Sequence, residues 1–137
     1  MNFQDKLIIA VDFDGTIVED GYPKIGKPRI FAFETLKRLQ DDGHRLILWT
    51  YRSGSKLDEA VKFCEDKGIQ FYAVNKSFPE EKFDYSKSRK IYADIFIDDR
   101  NIGGALGWGE VYQLITNETP NMKSNQKKKG LFSFLRK

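Results

Sequence analysis

Four short apolar runs, at residues 7–11, 46–49, 71–74 and 95–97, the last within an expected strand over 93–97, punctuate the chain, and segments of helical period separate the first three. Runs that are apolar throughout, rather than alternating, suit strands buried on both faces of a parallel sheet, and intervening helices supply the crossovers such a sheet requires. The first helix is expected after Pro28, which fits a first helical turn, with Ile30, Phe33, Leu36 and Leu39 recurring at threes until Asp41-Asp42-Gly43 interrupts them. Leu57, Ala60, Val61 and Cys64 mark a second helix ending at Gly68. Residues 75–90 are polar and read as loop, and Trp108 to Ile115 reads as helix in preference to strand.

Composition limits what such a chain can be. At 137 residues it suits one domain and leaves no room for a second full one. One cysteine excludes an internal disulfide and fits a reducing compartment, and no apolar run approaches the length of a membrane span or a secretory signal. A soluble, cytoplasmic protein is the expectation. The net charge of +3 is unevenly spread: residues 118–137 carry six Lys or Arg against one Glu, leaving 17 basic and 19 acidic residues in 1–117. The expected organisation is therefore one folded domain over 1–117, which carries the motifs described below, and a basic tail over 118–137. A near-neutral body offers no strong nucleic-acid signal. The tail, with Lys127-Lys128-Lys129 before Leu131, Phe132, Phe134 and Leu135, reads as a solubilising end, with a weaker alternative of contact with an anionic membrane surface.

The chemistry-bearing residues stand at the ends of the apolar runs. Asp12 and Asp14 follow the first, Thr50 the second, Asp98 and Asp99 the fourth. In parallel α/β sheets this is where ligands bind. Carboxylates gathered there repel one another by roughly 4 kcal/mol per pair at about 4 Å and a dielectric constant of about 20. Such a group calls for a cation, and oxygen ligands alone favour a hard one such as Mg²⁺. One His and one Cys argue against zinc.

The segment Val11-Asp12-Phe13-Asp14-Gly15-Thr16-Ile17 resembles the first signature of the haloacid dehalogenase (HAD) superfamily, Leu48-Trp49-Thr50 the second, and Ile97-Asp98-Asp99 the fourth. The order and spacing agree from about residue 6 to residue 116. The resemblance implies a three-layer Rossmann-like fold with a mostly parallel sheet, Mg²⁺ dependence and phosphatase activity through an aspartyl-phosphate. In that scheme Asp12 is the nucleophile and a metal ligand. Asp14 protonates the leaving oxygen, later activates water, and offers its backbone carbonyl to Mg²⁺. Thr50 contacts a phosphoryl oxygen, and Asp98 and Asp99 complete the metal shell, one directly and the other through water or a hydrogen bond. An Asp at position 14 favours phosphatase over dehalogenase. A cation near the phosphoryl group is also implied. Lys90 is the first choice, then Lys76, with Arg89 and Lys87 behind.

The short interval between residues 17 and 28, and the room for one helix, one strand and a loop between Thr50 and Lys90, imply no cap domain. An open site then admits a bulky phosphorylated substrate, small or macromolecular, or is covered by another subunit, so self-association stays open. Tyr22, Tyr51, Arg52 and Phe78-Pro79 are expected at its entrance. Two function classes follow: a Mg²⁺-dependent phosphohydrolase, favoured because both Asp12 and Asp14 accompany the later acidic pair, and a catalytically silent binding or regulatory module localised by its tail. A two-component receiver domain fails on order, because Asn75 stands where its phosphoacceptor Asp would be.

Overall fold

A computed structural model describes residues 6–84 and 86–118. Strand β1 (Ile8–Val11) lies inside a four-stranded sheet, hydrogen bonded to β2 (Arg45–Leu48) on one side and β4 (Ile95–Ile97) on the other, with β3 (Ala73–Val74) beyond β2. All three pairings are parallel, and the register sets Val11 beside Leu48 and Ile97. The carboxyl ends of β1, β2 and β4 therefore finish level. The expected run 71–74 contributes only its last two residues to the ladder, and 93–97 its last three.

Alternation along the strands divides the core. Ile9, Val11, Leu46 and Leu48 face one cluster, which also takes Leu36 and Leu39 from helix α1 (Ala32–Asp41), Ala60 and Cys64 from α2 (Gly54–Asp66), and Trp108 and Val111 from α3 (Trp108–Gln113). Ala10 and Ile47 face the other, much smaller cluster, completed by Ala73 and Ile91. Each fully buried Ile or Leu contributes about 1.5–3 kcal/mol, so the helical face dominates stability. Three layers with helices on both faces were expected. Among the described residues all three helices bury their side chains on one face, and the polar segment from 75 to 91, which has no helical apolar period, brings Ile91 against the other.

Helix α1 starts later than Pro28 suggested. Val18 bridges Pro28, and the Arg29 N–H donates to the Ile17 carbonyl at 2.9 Å, so residues 28–29 are held in extended pairing with the first loop. Ile30 is left exposed. The helix stops where Gly43 takes a φ of 99°, with the Gly43 N–H donating to Gln40 and that of His44 to Leu39, a glycine-dependent termination that satisfies the last carbonyls. Helix α2 stops in the same manner at Gly68. Helix α3 continues into a π-helical turn over Leu114–Glu118, so the helical reading of this stretch holds. Apart from Glu118, the basic tail lies outside the described residues.

Candidate metal and phosphoryl site

The chain leaves β1 at Val11 and the Asp12 N–H donates to the Ile97 carbonyl at 2.9 Å, which ties the first strand end to the fourth. Asp12, Asp98 and Asp99 are thereby brought together, each offering a carboxylate oxygen within 4.8 Å of the others. Gly15, at a φ of 89°, makes this approach possible: a Cβ there would collide with the Asp99 carboxylate. Among the described residues no ion pair neutralises the three. Burial, chiefly, and the charges of Asp98 and Asp99 push the Asp12 pKa up to about 7, against the opposing pull of the Thr16 hydroxyl. An all-oxygen, uncompensated set of carboxylates fits a hard divalent cation and fits zinc poorly.

Thr16 builds the turn under this cluster. Its hydroxyl donates to Asp12 Oδ2 at 2.9 Å, which fixes the carboxylate plane. Its carbonyl accepts from Trp108 Nε1 at 2.9 Å and from Arg29 at 3.3 Å, so helix α3 and the first loop clamp the turn from both sides. Thr16 thus secures the loop that follows β1. Thr50 lies across the opening. Its N–H donates to Asn75 Oδ1 at 2.8 Å, linking the ends of β2 and β3, and its hydroxyl oxygen accepts from the Arg52 N–H at 3.1 Å. The Thr50 hydroxyl proton is thus not consumed by that bond. Asp12, Asp14, Thr50, Tyr51, Asp98 and Asp99 all contribute to the lining of one cavity of about 420 Å³.

Asp14 differs from its neighbours. Both its oxygens are gripped by Arg52, at 2.7 Å from Nε and 2.7 Å from the terminal NH2 group, with the two side chains 4% and 0% exposed. The remaining Arg52 donors reach the carbonyls of Pro23, Lys24 and Lys56, so all five guanidinium N–H groups are satisfied. Phe13 and Tyr22 cover it, with the guanidinium carbon 5.1 and 5.0 Å from their ring centroids. Arg52 was expected at the entrance; it is instead one of the most buried side chains, because a sequestered Asp14 needs a matching charge. No motif announces it. The hint in the sequence is an acidic residue on the first loop with no cation near it in the chain.

The other expected residues divide. Tyr51 is exposed at the mouth, in edge contact with Tyr22 at 5.4 Å. Lys90 is exposed and lines neither of the two cavities at this end of the sheet. Lys76, Lys87 and Arg89 line the second of these. Cys64 is buried, with its thiol pushed up to about 12 by that burial, and takes no part.

No family model and no curated protein matches this chain. Among solved structures, a conserved protein of Bacteroides thetaiotaomicron matches with a TM-score of 0.79 and 54% sequence identity, over 84% of this chain and 93% of that one. With that identity over nearly the whole of the other protein, the chain described here belongs to the same family as this Bacteroides protein.

Proposed function

We propose that the protein is a HAD-type, Mg²⁺-dependent phosphohydrolase that cleaves phosphomonoesters through an aspartyl-phosphate on Asp12. The observation that carries this reading is the convergence of Asp12, Asp98 and Asp99 at level strand ends, uncompensated by any cation among the described residues. A divalent ion held by these three carboxylates supplies the positive charge that lets an anionic nucleophile approach an anionic phosphoryl group.

Asp12 is suited to attack because Thr16 bonds one of its oxygens, leaving the other for phosphorus, and the residue lines the cavity. As the new bond forms between this oxygen and phosphorus, the bond from phosphorus to the leaving oxygen breaks, and water then displaces the phosphoryl group from Asp12 to release phosphate. Thr50 donates its hydroxyl proton to a non-bridging phosphoryl oxygen. Lys76, which lines the adjoining cavity that shares Thr50, is a better candidate than Lys90 for the cation that offsets transition-state charge. The leaving oxygen requires a proton, and Asp14 delivers it only when its fork with Arg52 opens.

That fork also favours the second reading. A binding module needs the acidic cluster but no mobile acid, and an Asp14 locked by Arg52 suits it. Hydrolysis of an aryl phosphate with and without Mg²⁺, in the wild type and in Asp12→Asn, separates the two. Metal-dependent turnover that disappears in the variant supports the enzyme. Turnover that survives the substitution removes Asp12 as nucleophile, and no turnover across a broad phosphate panel favours the module.

A further inference from the structure

A second cavity, of about 750 Å³, adjoins the acidic one and shares Trp49, Thr50 and Tyr51 as a common wall. Its other side is formed by the segment after β3, which contributes Lys76, Lys82, Lys87 and Arg89 against the carboxylates of Glu81 and Asp84. Each of those two carboxylates has one oxygen bonded locally, and the four cations outnumber them. Glu81 accepts the Ser77 N–H at 2.6 Å, and Asp84 accepts the N–H and the hydroxyl of Ser86 at 2.9 and 2.7 Å. Among the described residues none of the four cations forms an ion pair. Arg89 lies over the Phe83 ring at 4.5 Å, a stacking that orients the guanidinium while leaving its N–H edge available.

Cations collected on one wall repel each other as the carboxylates next door do, and the natural complement is an anion. We propose that this cavity receives a second anionic group, phosphate or carboxylate, on a small substrate whose phosphomonoester lies against Asp12. The proposal rests on the phosphatase reading and names the substrate class it serves. The cavity volume is that of a small-molecule site. A long polyanion is disfavoured, because residues 1–117 carry more acidic than basic side chains and provide no extended basic track. Lys82 and Lys87, which line this cavity and not the acidic one, are assigned to the second anion.

The test compares an alkanediol monophosphate with the matching bisphosphate, on the full chain with Mg²⁺, across several diol lengths. At the best length the bisphosphate is expected to have a kcat/KM about tenfold higher, a difference of about 1.4 kcal/mol, expressed in KM. Raising the salt should shrink the advantage. In Lys82→Ala/Lys87→Ala the ratio should fall close to one, and in Lys82→Glu/Lys87→Glu below one. A matching carboxyalkyl phosphate shows whether carboxylate serves as well as phosphate as the second group. A ratio near one in the wild type, or one unchanged by these substitutions, overturns the proposal. If no substrate is turned over, the phosphatase reading fails separately, and calorimetry decides the cavity: bisphosphate bound more tightly than monophosphate in the wild type but not in the double variants supports it, and equal affinities reject it. Displacement of the bisphosphate by a single-stranded oligonucleotide at lower concentration than by free bisphosphate would make the partner a nucleic acid and overturn the small-molecule assignment.

Discussion

Asp12 and Asp14 are two residues apart at the end of one strand, yet the fold places them in opposite electrostatic settings. Asp12 joins Asp98 and Asp99 in a cavity open to solvent, with no positive side chain among the described residues paired to any of them. Asp14 is enclosed with Arg52, both oxygens bonded and the cation itself fully satisfied. The first arrangement leaves like charges facing one another; the second is complete. The contrast shows how a single acidic motif can leave one carboxylate facing its like and seal its neighbour against a cation.

The largest expected effect breaks the open side of this contrast. Asp12→Asn should reduce kcat by about 10⁴-fold or more, as removal of a covalent nucleophile does, and steady-state kinetics with Mg²⁺ reads it. The closed side is tested through stability. Arg52→Met leaves Asp14 buried without its partner and should cost about 3–5 kcal/mol in denaturant unfolding, whereas Arg52→Met combined with Asp14→Leu should recover most of that loss. If the double variant is no more stable than the single, the pair is not an isolated electrostatic unit.

Asp14→Asn sharpens the comparison by asking whether the fork opens during turnover. An acid role predicts a loss of roughly 10²–10⁴-fold on an alkyl phosphate and a much smaller one on a nitrophenyl phosphate, whose leaving oxygen needs no proton. Equal losses on both would leave Asp14 a purely structural residue.

A smaller effect appears in the pH dependence of the metal-free protein. The Asp12 carboxyl titrates near pH 7 when folded and near pH 4 when unfolded. Between those values the native state holds a proton that the unfolded state has lost, so the contribution of Asp12 to stability is present below about pH 4 and declines as the pH rises toward 7. His44 acts in the opposite sense. Burial lowers its pKa while Nδ1 accepts the Leu7 N–H at 3.0 Å, so its contribution is lost as the pH falls below the unfolded value of about 6.5. Thermal melts over this range should show the Asp12 slope flattened in Asp12→Asn, and reversed for the wild type by saturating Mg²⁺. The smallest effect expected is that of Trp108→Phe, which removes the bond to the Thr16 carbonyl and part of a buried ring and should cost about 2 kcal/mol.

Local chemistry made part of this legible from sequence. The apolar runs located all four strands because burial on both faces removes polar alternation, and the gathering of Asp12, Asp98 and Asp99 followed from parallel strands finishing level. Pro28 misplaced the start of α1, since its pairing with Val18 is made with a segment ten residues earlier and leaves no local mark. Helices on both faces were inferred from the buried strands, whereas irregular chain around Ile91 contacts the second face. Arg52 was misread as an entrance residue because a charge beside a strand end is ordinarily solvated. Its burial depends on contacts with Asp14 and with the 22–24 turn, neither of which has a spacing rule. The preference for Lys90 had a similar origin: proximity in sequence to the fourth strand does not set a side chain on the cavity wall.

Calorimetric titration of Mg²⁺ into the protein asks whether the three carboxylates share one divalent ion while Asp14 stands apart. One ion per chain is expected, bound with release of protons below pH 7, with affinity strongly reduced in Asp12→Asn, Asp98→Asn and Asp99→Asn and nearly unchanged in Asp14→Asn. Binding that ignores the substitutions at 98 and 99, or that is lost on substitution of Asp14 alone, would contradict it.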